Sequence, residues 1–447
     1  MAVNKPGVLD ETFGTEMEKL IGAVKMISPN QPQIAVHIET GATVLAAKSG
    51  VSKSAVSVNG IAVIDVNSTG VWHLTATKTG SVFLPTEVHV TENKVYEVTM
   101  SKTDIFGASW DKSSSPVLTR TDGAVGFANP VPYVLGATEY GSPFDEFYPW
   151  SEMRVVQDET LGDLVEIPKF YYKITNTDSE FKVQISATPQ AGYLVSPAHS
   201  DRGDGKGVRD KVYIGRYHCD NDYKSLGGTL PKVSMARATA RSSIHALGSD
   251  VWQMDYAMRM TIWMLYIVEF AHFDSQAKIG YGCGNGSSKE NQGASDAMPY
   301  HTGTMQASRT TYGVGVQYRF IEGLWDNCYD WCDGIYFSGA DVYGILNPAN
   351  FSDAANGVLI GQRPTTDGYI KFLFVPTEAG YEGFMYCGEI GGGSTTYFCD
   401  YCYQGGTVLY VGGGYGQSTH RGLLYLVGGY GASSADAGIG CRLQKLP

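Results

Sequence analysis

A chain of 447 residues exceeds what one hydrophobic core usually organises, so two or more domains are expected. Only 17% of the residues are charged while Gly numbers 55, Tyr 29 and Trp 7, which argues against long surface helices and for a β-rich α+β protein. The formal net charge is −12 with no dense Lys/Arg stripe, so no phosphate-tracking surface and no nucleic-acid partner are expected.

The N-terminus, MAVNKPGVLDETFGTEMEKL, carries no apolar run behind a basic start, so a secretion signal is not expected and synthesis in the cytoplasm is. Leu9, Phe13, Met17, Leu20, Ile21 and Val24 recur every three or four residues, predicting a short amphipathic helix with Asp10 and Glu11 near its start. Gly14 and Gly22 weaken it, so it needs a partner face. Either its own domain supplies that face, or a self-associating bundle or larger assembly does. Residues 1–30 are therefore assigned to a helical attachment or oligomerisation segment.

SPNQP at 28–32 reads as a linker, and from Gln33 to Met100 the chain changes to short β-runs separated by turn residues. Val71, His73 and Thr75 alternate with Trp72, Leu74 and Ala76, the pattern of a half-buried strand. Residues 31–102 are expected to form a β-sandwich of immunoglobulin-like size acting as a spacer.

Residues 103–447 mix β-runs such as LVEIPKFYYKI and FKVQIS with a helix predicted over 251–271, and end in a glycine- and tyrosine-rich stretch. The window Asp250 to His272 is the most apolar, but Asp255, Arg259 and Glu269 interrupt it. It reads as a buried helix, and no membrane insertion is expected. One elaborated α+β domain with long loops is preferred over two.

Motifs that would carry catalysis are missing. No Gly-x-x-x-x-Gly-Lys-Ser/Thr string cradles phosphate and no Gly-x-Ser-x-Gly elbow presents a nucleophile. Cys399 and Cys402, with Cys328 and Cys332, have a spacing that in principle suits zinc, but the aromatic flanks FCDYCY and NCYDWC favour buried reduced thiols. Asp326, Asp330, Asp333 and Asp341 lack the alternation of a calcium loop and read as a solvated loop. No catalytic residue, metal or cofactor is nominated, and the chain is not expected to be an enzyme.

What remains is recognition chemistry. Tyr397, Tyr401, Tyr403, Tyr410, Tyr415, Tyr425 and Tyr430 are interleaved with Gly, Ser, Thr and Gln, the composition of paratopes. LYVGGGYG at 409–416 and LYLVGGYG at 424–431 predict two neighbouring strand-and-turn units, with Leu409, Val411, Leu424 and Leu426 inward and the residues after each glycine turn outward.

The string VLYVGGGYGQSTHRGLLYLVGGYGASSADAGIGCRL at 408–443 resembles the end of the C-type lectin-like fold of the formylglycine-generating-enzyme and diversity-generating-retroelement type. Members close with a pattern like R-G-G-S-W followed by G-F-R-L. Gly428-Gly429-Tyr430 and Gly440-Cys441-Arg442-Leu443 stand at those places. GLWDNCYDWCDG at 323–334 resembles the G-N-V-W-E-W segment of the same fold, and VEFAHFDSQAKIGYGCG at 268–284 its preceding helix and turn. IFGASWDKSSSPVLTRTDGAVG at 105–126 is similar to a segment that precedes such domains in phage and prophage tail proteins.

The resemblance implies a C-terminal C-type lectin-like receptor-binding domain over 103–447 and a phage tail-fibre adhesin located in the virion. It also implies a homotrimer, contacts with other tail or baseplate proteins, and a scaffold that tolerates variable surface residues of the kind a diversity-generating retroelement alters. The partner would be a bacterial surface receptor, glycan or protein. Ligand-binding residues are expected at Tyr401, Tyr403, Tyr415, Gln417, His420, Tyr430, Ser433, Ser434 and Asp436. The copper-binding cysteine pair of the formylglycine-generating enzymes has no clear counterpart, and the calcium-lectin tripeptides E-P-N and W-N-D are absent as such. A copper oxidase of that type, a structural tail component without receptor binding and a bacterial surface lectin are the alternatives.

Overall fold

The computed structural model describes residues 31–354 and 356–447, and the helix expected within residues 1–30 lies outside them. The chain is β-rich with few helices. It divides into two compact units, one made of the described residues up to Asp104 with Asp122–Gly126, the other of Ile105–Thr121 and Phe127–Pro447.

In the first unit Gln33–His37 pairs antiparallel with Ile61–Asp65 and parallel with Val95–Thr99. A second sheet sets Thr43–Lys48 between Val51–Val56 and Gly70–Lys78, and Gly70–Lys78 also pairs with Thr86–Val90. The alternation seen in the sequence is realised here: Trp72 and Leu74 are fully buried while His73 between them is exposed. Ile34, Val36 and Ile64 of one sheet and Val44, Trp72 and Leu74 of the other share one core. Burying an indole contributes about 4–6 kcal/mol of transfer free energy, and the Trp72 ring N–H keeps a partner in the Ser68 carbonyl at 3.0 Å.

The second unit holds two helices of more than two turns, α1 (Arg237–His245) and α2 (Tyr256–Phe270). The sequence predicts helix from residue 251, but Val251–Gln253 is drawn off as a strand by pairing with Leu443–Lys445. Asp255 then starts α2, its Oδ1 accepting the Met258 N–H at 2.9 Å. Every residue of α2 is buried. Its interrupting polar residues are tie points: Asp255 accepts from Arg202 Nη2 at 2.6 Å, Arg259 donates to the Leu324 carbonyl at 2.9 Å, and Glu269 takes the Arg319 guanidinium at 2.6 and 2.9 Å. Burying a charge is costly unless pairing or hydrogen bonds of this kind offset it.

The same rule overturns the expected solvated acidic loop. Asp326, Asp330 and Asp333 are buried, and Asp341 alone is partly exposed. Tyr329–Ser338 is an inner strand, flanked by Asp341–Gly344 and Val408–Gly412, so its carboxylates have no water to face. Asp330 accepts from His218 Nδ1 at 2.8 Å and Arg442 Nε at 3.1 Å, and Asp333 takes Arg241 at 2.9 and 2.6 Å. All eight cysteines are buried free thiols. Among the described residues no His, Cys, Asp or Glu cluster of three or more is placed to hold a metal, and no helix is long and apolar enough to cross a membrane.

Candidate ligand-binding site

Four neighbouring strands bring tyrosines from distant parts of the sequence together. Val408–Gly412 lies between Tyr329–Ser338 and Leu426–Tyr430, and Leu426–Tyr430 pairs on its other edge with Tyr401–Tyr403. Register aligns Trp331, Tyr410, Val427 and Tyr403 in one row across these strands. Directly paired residues share a face, and Tyr329, two residues before Trp331, joins them. The Tyr329 and Tyr410 ring centres are 4.9 Å apart, those of Tyr410 and Tyr430 5.6 Å, and Trp331 meets Tyr410 edge-on at 5.4 Å.

A cavity of about 280 Å³ opens on this face, walled by Tyr329, Tyr403, Tyr410 and Tyr430. Val427 and Ile439 complete the apolar part, and Gln417 and Asp436 bring polar groups from the loops beyond the strands. Burial pushes the Tyr329 and Tyr410 hydroxyls above the usual phenol range, which keeps both as neutral hydrogen-bonding groups. A larger, more open depression of about 730 Å³ is bordered by Asp201, Asn347 and Asn356. Its one arginine, Arg202, is committed to Asp255 and to the Leu346 carbonyl, and none of the residues expected to bind ligand lines it. The tyrosine cavity is therefore the better candidate, although it is smaller.

The loop between the two glycine-rich strands is held by a buried arginine. Arg421 donates from Nε to the Ser418 carbonyl at 3.0 Å, from Nη1 to those of Gly414 and Cys283 at 3.2 and 2.5 Å, and from Nη2 to that of Tyr281 at 2.8 Å. One planar fork thus fixes both ends of the segment that carries Gln417. Gly414 sits close to its neighbours: a Cβ there would stand 2.9 Å from Gln417 Oε1 and 3.0 Å from the Tyr329 ring, so a side chain would displace one of them.

The two glycine motifs lie on neighbouring strands as expected, but only the first makes the tight turn expected of both. Gly412 ends its strand with φ +85 and turns the chain. Gly428 and Gly429 instead lie inside the strand Leu426–Tyr430. A Cβ on Gly428 would come within 2.5 Å of Arg363 Nη1, which donates to the Gly428 carbonyl at 3.1 Å. The first glycine run makes a turn and leaves room for Arg421 at Gly413, and the second stays in its strand and leaves room for Arg363.

Of the nine residues expected to bind ligand, Tyr403, Gln417, Tyr430 and Asp436 line the cavity. Tyr401 stands beside it, its ring 4.7 Å from Tyr403 and 5.5 Å from His420, and both Tyr401 and His420 pack on Tyr369. Tyr415 is partly exposed outside the lining, its carbonyl accepting the Gly286 N–H at 2.8 Å. Ser433 and Ser434 sit in a turn closed by the Ser434 N–H on the Gly431 carbonyl, away from the cavity. Sequence reasoning missed Tyr329, Tyr410, Val427 and Ile439 as lining residues. Tyr329 and Trp331 carried a signal, an i, i+2 aromatic pair in a strand, but not the partner strand that it faces.

No family model matches this sequence, and no curated protein matches it. The cavity lining is aromatic walls with one amide and one carboxylate.

Proposed function

We propose that this chain is a receptor-binding protein of a phage tail, recognising a bacterial surface ligand non-covalently through its C-terminal tyrosine-rich face. The observation that carries the reading is the tyrosine-walled cavity formed where the two glycine-tyrosine strands meet, beside the half-exposed ring of Tyr430. Tyrosines supply rigid contact area with polar tips at low entropic cost, which suits recognition without turnover. The first unit is read as an immunoglobulin-like spacer, supported by two sheets sharing one core and by the parallel pairing of Gln33–His37 with Val95–Thr99. The second is read as a C-type lectin-like domain, supported by the buried α2 and by the C-terminal strand Leu443–Lys445 returning to pair with Lys211–Gly215. Trimeric assembly, attachment to tail or baseplate proteins, location in the virion and retroelement diversification belong to the same proposal and rest on the sequence resemblance.

The copper-oxidase alternative asks for cysteines that ionise and open to a metal. Cys387, Cys399, Cys402 and Cys441, the cysteines toward the C-terminal end of the chain, are all buried. The deciding experiment is binding of the fluorescently labelled full chain to a panel of bacterial cells, with and without periodate treatment of their surface glycans. Saturable binding to a subset of strains, lost in a Tyr430→Ala/Gln417→Ala double variant, is expected. Binding to no strain, or binding that the double variant leaves intact, would overturn the proposal.

A further inference from the structure

The charge balance of the tyrosine cavity narrows the class of ligand. Four tyrosine rings line it, Asp436 is its one acidic side chain, and no Lys, Arg or His is among the lining residues. An aromatic face carries a negative quadrupole, so ring walls and carboxylate draw in positive charge and disfavour anions. Asp436 is exposed, and its Oδ1 accepts the Gly438 N–H at 2.8 Å, which fixes the carboxylate at the rim. A bare metal cation would need several oxygen ligands, whereas this cavity offers one carboxylate and one side-chain amide amid Val427, Ile439 and the rings. At about 280 Å³ it lies near the lower end of ligand-site volumes, suiting a compact head group better than an extended chain.

We propose that the cavity takes an organic cation, an alkylated ammonium head group carried by the surface ligand, held against the tyrosine walls with Asp436 as its counter-ion. This rests on the binding function proposed above and adds the chemical class of the ligand. Gln417 then serves the neutral part of the head group, and the exposed Tyr430 ring is the wall that a ligand meets first.

The test uses the full chain. Choline, tetramethylammonium, the neutral carbon isostere of choline and a neutral methyl pyranoside are titrated separately, read by near-ultraviolet tyrosine signals and by ligand-observed saturation-transfer NMR. Choline and tetramethylammonium are expected to saturate, with the carbon isostere about tenfold weaker because it keeps the shape and loses the charge. Asp436→Asn should weaken choline about three- to tenfold and leave the isostere unchanged, and Tyr430→Leu should weaken both cations. Equal binding of choline and its isostere, preference for the pyranoside, or no saturation by either cation would overturn the proposal. Excess choline is also added to the cell-binding assay. Cell binding with no choline binding or displacement would sink the cation assignment and leave the receptor reading standing. Choline binding without attachment to any cell would do the reverse.

Discussion

The first unit and the second solve the problem of burial differently. Among described residues 31–104 the buried polar side chains are Gln33, Ser57 and Ser81, and no charged one is buried. In the second unit Arg202, Arg237, Arg259, Arg319, Arg421 and Arg442 are all almost wholly buried. Each binds backbone carbonyls far away in sequence; Arg442 reaches those of Gly215, Arg216 and Glu322 at 2.8–3.0 Å as well as Asp330. Regular strands satisfy their own carbonyls, so the sandwich needs only apolar inner faces. Long irregular loops leave carbonyls without ladder partners, and a buried guanidinium with five donors satisfies several at once. A loop fixed in this way can hold Gln417 over a sheet face without belonging to the sheet.

The largest effects should expose this difference directly. Arg442→Ala leaves Asp330 Oδ2 and several carbonyls without their donor and is expected to cost about 3–5 kcal/mol in urea unfolding. Arg442→Lys should recover only a minor part, because an ammonium cannot reproduce the fork. In the sandwich Trp72→Ala should also cost about 3–5 kcal/mol, but there the loss is a cavity and Trp72→Phe should restore most of it. If lysine rescued Arg442 as well as phenylalanine rescues Trp72, the contrast between carbonyl-tying and packing would be broken.

A somewhat smaller effect is tied to pH. Burial raises the Asp326 carboxyl to about 6, and its Oδ1 has no hydrogen-bond partner. A raised folded-state value means that the stabilising contribution is complete below the unfolded value of 3.8 and is lost as pH rises through about 6. By pH 7 the loss is about 3 kcal/mol at 1.36 kcal/mol per unit. Asp326→Asn keeps an acceptor for the Cys283 N–H, which Oδ2 now bonds at 2.9 Å. It should therefore match the parent near about pH 4 and be more stable by about 2–3 kcal/mol near about pH 7. Unfolding curves at both values check this, and an unchanged difference between them would refute it. The sandwich has no buried carboxylate to give a counterpart.

Smaller again is Gly323→Ala. Gly323 has φ +72, and a Cβ there would stand 2.7 Å from His218 Nε2 and 3.1 Å from Asp326 Oδ1. Strain and overpacking together should cost about 1–3 kcal/mol, measured by thermal unfolding. The smallest effect is expected from Ser433→Ala and Ser434→Ala, which lie off the cavity. Stability should stay within about 0.5 kcal/mol and binding to cells should not change, in contrast to Tyr430→Ala/Gln417→Ala.

The sequence by itself determined what local periodicity can encode. The alternation around Trp72, the β-rich character and a buried helix near residues 256–270 follow from side-chain spacing alone. Composition also marks the tyrosine-rich C-terminal stretch as a candidate binding surface, and four of the residues expected there line one cavity. Only the tertiary structure decided which strands are neighbours. That placed Tyr329 opposite Tyr410 and turned the acidic residues of Tyr329–Ser338 from a solvated loop into buried partners of Arg442 and Arg241. It also gave the two glycine motifs different tasks, a turn at Gly412 and an arginine's passage at Gly428. The physical reason is that pairing register and buried guanidinium contacts join residues a hundred or more positions apart, and no pattern within a short window records which carbonyl an arginine will reach.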